Sequence, residues 1–183
     1  MEEYIVSAFT ENSIGLLNRI TIVFTRRGVN IESLTVSESA IKGISKFTIV
    51  VKTSPDLIKK IVSQIEKLVE VLKAFYHNTD EMIYQEIALY KISTKALLES
   101  NQVETIVREH GARIMEITDD YTVVEKTGHN SETTALFDEF QHVCGVLQFI
   151  RSGRVALTRS PIEKLSNFLK ERDEYLEKVK DEK

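Results

Sequence analysis

The residue types with chemistry to offer gather in Thr10-Glu11-Asn12-Ser13-Ile14-Gly15 and in a second stretch that begins at Asn30. The first lies between a strand-like apolar run and a helical stripe, so it spans a helix start. Such a start presents main-chain N–H groups without intrahelical partners and a partial positive charge. Gly15 lets a carboxylate approach that backbone without meeting a side chain. Asn12 and Asn30 carry amide oxygens that accept hydrogen bonds from an ammonium group, and Ile14 and Ile31 add apolar surface, with Leu16 directly after the glycine. Together these features suit a free amino acid. Spacing alone leaves another explanation standing, in which Asn12 or Ser13 caps the helix and Asn30 turns the chain.

The rest of the chain offers little that performs catalysis. His77, His110, His129 and His142 are scattered without metal-ligand spacing, and Cys144 is the only cysteine, which leaves no disulfide framework and no cysteine metal site. Its surroundings in an apolar run point to packing. There is no G-x-S-x-G elbow, no G-x-G-x-x-G and no G-K-[ST] loop, so the common nucleophilic, dinucleotide and P-loop chemistries lack their backbone devices. A net charge of −4 gives polyphosphate no general attraction, and the Arg26-Arg27 pair is short, so nucleic acid is not an expected partner. No window approaches the roughly 20 apolar residues that span a bilayer, and the start Met1-Glu2-Glu3 lacks a signal peptide's basic and apolar regions. Cytoplasmic residence is the expectation.

The elements that must position the loop follow from periodicity. Tyr4 to Thr10 reads as a strand, and Leu16, Ile20, Val23 and Phe24 share one helical face. Arg26-Arg27-Gly28 ends that helix, with cations near its carbonyl end and a glycine able to take the left-handed conformation. Ile31 to Ser39 and Lys46 to Lys52 form a hairpin that turns near Gly43. Ser54-Pro55 opens a helix with Ile58, Ile61, Val62 and Ile65 on one face, and Val69 to Tyr76 closes the unit. The order strand, helix, strand, strand, helix, strand, with right-handed crossovers, predicts a four-stranded antiparallel sheet with both helices on one face. That is a ferredoxin-like unit.

After Asn78 to Glu81 the order recurs without matching residues: Glu86 to Ile92, a helix around Leu97 to Glu109, Arg113 to Ile117, Tyr121 to Lys126, a helix around Thr133 to Phe140, and Val143 to Ile150. The fold class is therefore α+β, two tandem βαββαβ units over residues 1–78 and 83–160. Ser160-Pro161-Ile162-Glu163 then starts a C-terminal helix over 161–183, with Ile162, Leu165, Leu169, Leu176 and Val179 on one stripe interrupted by Arg172. Several functions share this unit. An RNA-binding version needs stacking aromatics on the third strand, where Phe47 stands alone. A metallochaperone needs paired cysteines in the first loop and an acylphosphatase an arginine, and neither is present.

Two segments carry a resemblance. Glu11 to Arg19 followed by Phe24 to Val36, with the run Asn30-Ile31-Glu32-Ser33-Leu34, resembles the N-terminal ACT domain of the regulatory subunit of acetohydroxyacid synthase, also called acetolactate synthase. Phe149 to Arg159 resembles the segment that ends the second domain of that family. The resemblance covers about residues 1–160 and implies a non-catalytic homodimer. Its ACT domains would pair and bind a branched-chain amino acid, commonly valine, at their interface, through Asn12, Ile14, Gly15, Leu16, Asn30 and Ile31. It also implies that the chain activates a separate catalytic subunit and confers feedback inhibition on it. Thiamine diphosphate, Mg2+ and FAD would belong to that subunit and none to this chain. Ile14 departs from the small polar residue or proline that many relatives carry there. The loop Ser93-Thr94-Lys95-Ala96-Leu97 of the second unit lacks both asparagine and glycine, so that unit would have a different task. Arg151, Arg154 and Arg159 around Gly153 are candidates for contact with the catalytic subunit. A tandem ACT sensor that regulates some other protein is the alternative.

Overall fold

The computed structural model describes residues 1–99, 101–161, 165 and 167–170, arranged as two compact units. The first comprises Met1–Ile83 and the described residues from Ala156 on; the second is Tyr84–Val155.

In the first unit, β1 (Glu2–Glu11), α1 (Leu16–Thr25), β2 (Ile31–Glu38), β3 (Ile44–Thr53), α2 (Pro55–Ile65) and β4 (Val71–Asn78) follow in turn. The sheet order is β2-β3-β1-β4, and β1 is antiparallel to both β3 and β4. The order of elements is the one that periodicity predicts. Leu16, Ile20, Val23 and Phe24 of α1 and Ile58, Ile61, Val62 and Ile65 of α2 are all buried, against Tyr4, Val6, Ala8, Phe47, Ile49 and Val51 of the sheet. Each large apolar side chain so removed from water contributes about 1.5–3 kcal/mol. Gly28 and Gly43 both take positive φ, at the end of α1 and in the hairpin.

A single 3-10 turn, Thr79–Glu81, leads into the long strand β5 (Met82–Ser93). The second unit continues with α3 (Thr94–Glu99), α4 (Asn101–Glu109), β6 (Arg113–Ile117), β7 (Tyr121–Gly128), α5 (Asn130–Val143) and β8 (Gln148–Arg151). Its sheet runs β6-β7-β5-β8, and a short strand β9 (Val155–Thr158) also pairs with β5. Ala88, Tyr90 and Ile92 of β5 meet Val103, Ile106, Leu136 and Phe140 of the helices in its core. Several details differ from the sequence expectation, among them the unexpected β9 and the start of β5 at Met82 rather than Glu86. The helix predicted around Leu97 to Glu109 is matched by helical residues over Thr94–Glu99 and Asn101–Glu109. The strand expected to begin at Val143 begins at Gln148, because α5 runs on to Val143 and Gly145, at φ 73°, ends it, its N–H and that of Cys144 both donating to the Phe140 carbonyl. Cys144 packs against this core and its thiol donates to the same carbonyl at 3.3 Å; burial pushes its pKa up. Of the predicted C-terminal helix, residues 165 and 167–170 are helical, and Ile162, Arg172, Leu176 and Val179 lie outside the described residues.

Candidate functional site

The loop that carries Asn12 is tied down on both sides. The Glu11 N–H donates to the Glu70 carbonyl at 2.9 Å and the Asn12 N–H to the Gly43 carbonyl at 3.3 Å, while Arg19 of α1 pairs with the Glu70 carboxylate at 2.6 Å. The main-chain N–H of Glu70 and then the Arg19 guanidinium hold that carboxyl below the usual carboxylate range. At the start of α1 the capping residue is Gly15, at φ 80° and ψ −1°, and no side chain caps the helix. Asn12 and Ser13 therefore do not cap it, contrary to one of the two explanations that spacing allows. Nothing lies within 4 Å of where a Gly15 Cβ would stand, so the approach to these amides is open.

Asn12, Ile14, Gly15 and Asn30 are exposed, and Ile14 is fully so. Leu16 differs, because its side chain is 2% exposed in the core and only its main chain borders the loop. Ile31 is half-buried against the same core. The register separates these residues into two groups. Ile31 lies across from Val51, which lies across from Tyr4, whereas Glu11 lies across from Ile44 at the other end of the sheet. The step from Tyr4 to Glu11 spans roughly 20–24 Å of strand. One copy of the chain thus holds Asn12, Ile14 and Gly15 at one end and Asn30 and Ile31 at the other. Between them runs β2, an edge strand with Val36 exposed, and α1 exposes Leu17 and Ile22.

In the second unit the arginines near Gly153 are engaged within the fold. Arg154 is 7% exposed, its Nε donates to Glu86 Oε1 at 3.1 Å, and its guanidinium lies 4.3 Å from the Tyr84 ring centroid. Arg151 Nε reaches the other Glu86 oxygen at 3.3 Å, and its NH1 donates to the hydroxyls of Thr133 and Thr134. With the Asn130 amide turned so that both its ends are satisfied, its oxygen accepts from Arg151 at 2.7 and 2.9 Å. Glu86 is 4% exposed. Arg159 belongs to the first unit, where its Nε donates to the Asp80 carbonyl at 3.0 Å on an exposed surface. Glu86 and Tyr84 were not singled out from sequence, although the alternation of β5 was a usable signal: Glu86 shares the inward parity of Ala88, Tyr90 and Ile92. The histidines are dispersed. His110 contacts Glu139 at 3.0 Å, the His129 ring packs edge-on against Tyr84, and His77 is buried in the first unit. Among the described residues no cluster of His, Cys, Asp and Glu is arranged to hold a metal, and no helix is long and apolar enough to cross a membrane.

Two βαββαβ units in tandem, the first with a glycine-started helix between exposed asparagines, define a protein of the ACT-domain class. A family model described as an acetohydroxyacid synthase small subunit-like ACT domain matches residues 6–73, and one described as the small subunit of acetolactate synthase matches residues 85–160. The chain is 33% identical over 156 residues to the acetolactate synthase small subunit of Mycobacterium leprae, a match that covers 85% of this chain and 91% of that one. It is 30% identical over 164 residues to the Bacillus subtilis small subunit, covering 89% and 94%. The crystal structure of the acetolactate synthase small subunit from Thermotoga maritima matches with a TM-score of 0.79 at 29% identity, over 88% of this chain and all of that one. The chain belongs to the acetolactate synthase small subunit family, the regulatory subunits of branched-chain amino-acid synthesis.

Proposed function

We infer that this chain is a homodimeric feedback sensor, which raises the activity of its acetolactate synthase catalytic subunit and lowers it again when a branched-chain amino acid, valine foremost, occupies the ACT site. The observation that carries this reading is the divided site: uncapped amides beside Asn12 and Gly15 at one end of β2, Asn30 and Ile31 at the other. Two copies that pair antiparallel along β2 bring the glycine loop of one against the Asn30 of the other, because a two-fold axis through the strand exchanges its ends. The exposed Val36, Leu17 and Ile22 supply apolar surface for that pairing. The effector carboxylate would then meet the start of α1, and its ammonium the asparagine amide oxygens. Thiamine diphosphate, Mg2+ and FAD sit on the catalytic subunit in this reading. The second unit and the exposed Arg159 contribute contact with that subunit, and the assembly resides in the cytoplasm.

Reconstitution with the cognate catalytic subunit tests this. Adding the chain should raise synthase activity and valine should then lower it, while Asn30→Ala should keep the activation and lose the response to valine. Unchanged synthase activity on adding the wild-type chain would refute the reading.

A further inference from the structure

Three contacts close a ring around the glycine loop of the first unit. The Glu11 N–H donates to the Glu70 carbonyl at 2.9 Å, so the loop is held at its first residue by Glu70. At its last residue, the Gly15 carbonyl accepts from the Arg19 N–H at 3.2 Å, the bond that opens the helical ladder of α1. The Arg19 guanidinium then meets the Glu70 carboxylate at 2.6 Å. Glu11 to Gly15 therefore lies between two anchors, and the side chains of those anchors form one ion pair.

The ring encloses a set of main-chain donors. The Leu16 N–H turns back to the Ser13 carbonyl at 3.3 Å, whereas the N–H groups of Leu17 and Asn18 have no partner among the described residues. Both residues are exposed, and no side chain caps the helix. Main-chain N–H groups point along the helix axis, so their aim is set by the tilt of the first turn. Arg19 is the residue that completes that turn.

The loop itself supplies little rigidity. Gly15 has nothing within 4 Å of where a Cβ would stand, Ile14 is fully exposed, and the Asn12 N–H reaches the Gly43 carbonyl at 3.3 Å. A segment with so few buried contacts opens at small cost unless its ends are fixed. The buried Leu16 fixes the start of the helix, and the Arg19–Glu70 pair fixes the loop to β4 on the far side. The two side chains are 42% and 21% exposed, so solvent screens the pair only in part.

We propose that Arg19 and Glu70 are positioning residues of the effector site: neither touches the effector, and together they fix the angle at which the start of α1 presents its N–H groups to a carboxylate. This assignment rests on the reading of the glycine loop as that site. Without the pair the loop is ordered anew at each binding event, and the effector is weakened by the fraction of chain already in the competent arrangement. A pure effect of charge makes a different demand. It would have the loss of Arg19 weaken a bound carboxylate and the loss of Glu70 strengthen it, whereas positioning has both losses weaken it.

Full-length Arg19→Gln, Glu70→Gln and the double variant, each checked by circular dichroism, are compared with the wild type in two measurements. The first is amide hydrogen exchange of the free chain, which needs no effector. The bonded N–H groups of Glu11, Asn12 and Arg19 should exchange about threefold to tenfold faster in every variant, the loss expected of a half-buried ion pair, while the second unit keeps its rates. The second is the valine concentration that halves the activity of the reconstituted synthase. It should rise by a similar factor in both single variants and no further in the double, because either change breaks the same pair. Unchanged exchange in the loop, opposite shifts in the two single variants, or losses that add in the double overturn the proposal. A wild-type complex that does not respond to valine refutes the effector site itself, and the exchange rates still decide whether the pair fixes the loop. If Arg19→Gln does not fold, Glu70→Gln, whose amide matches the carboxylate in shape, gives both readings.

Discussion

The Glu86 cluster allows a test of whether the arginines near Gly153 serve the fold of the second unit. Glu86 is 4% and Arg154 7% exposed, so truncating one removes a charged partner from a group that stays buried. Breaking a buried pair in this way costs about 3–5 kcal/mol. The Tyr84 ring, 4.3 Å from the guanidinium, offsets part of that for Glu86→Gln, by about 0.5–2 kcal/mol. In Arg154→Leu the relief for Glu86 is its second ion pair, with the more exposed Arg151 at 3.3 Å. Replacing both partners by apolar residues, Glu86→Leu with Arg154→Leu, removes both desolvation costs and should be nearly neutral, within about 1 kcal/mol. For a unit of this size each 1 kcal/mol moves the midpoint by about 4–8 °C, so either single variant should lower it by at least about 4 °C and the double should recover most of that. The chain has no tryptophan, so scanning calorimetry of the full-length protein, which can resolve two unfolding transitions, is the assay. Single variants each costing less than about 1 kcal/mol, or a double variant that loses the sum of the two, would refute the reasoning. Any loss of synthase activation in Arg154→Leu would then need the exposed Arg159→Ala variant to separate contact from folding.

Two further outcomes follow from particular side chains. Tyr90, fully buried, donates its hydroxyl to the Thr133 carbonyl at 2.6 Å, and burial pushes its pKa up to about 12; Tyr90→Phe should cost about 1–3 kcal/mol by urea denaturation, and no loss would show that the carbonyl finds another donor. The folded-state pKa of Glu70 is depressed by its own main-chain N–H and by Arg19, so its contribution to stability is present above the ordinary carboxylate pKa and lost as pH falls through the folded value. Arg19→Gln should therefore lower the urea midpoint at about pH 7 and make little difference near about pH 2, and an equal deficit at both would assign the effect of Arg19 to packing.

Much of the fold is legible in the sequence because its signals are long and periodic. The α1 stripe from Leu16 to Phe24 and the β3 alternation of Phe47, Ile49 and Val51 both enter the core as their spacing requires. The boundary near Val143 was not legible, because Val143-Cys144-Gly145-Val146 reads as an apolar strand while the left-handed glycine ends a helix there. β9 is four residues long between arginines and carries too little alternation to be read. The candidate loop was legible as a set of residue types, but its division between the two ends of the sheet was not. Only the register of β2 on β3 and of β3 on β1 shows that Asn12 and Asn30 stand far apart in one copy.

That separation bears on how sensing would reach the catalytic subunit. A ligand held within one protomer gains nothing from a second, and its binding leaves dimerisation untouched. A ligand held between Gly15 of one copy and Asn30 of another binds only the assembled pair, so its binding free energy is also dimer-stabilising free energy. In the proposed reading, effector binding and the β2 edge-to-edge contact are therefore one equilibrium. The exposed Val36 of β2 and Leu17 and Ile22 of α1 then set sensitivity to the effector without touching it, since weakening the pair lowers the fraction of chain competent to bind. The effector acts on the synthase only to the extent that the pair it tightens fits one arrangement of the catalytic subunit better than another.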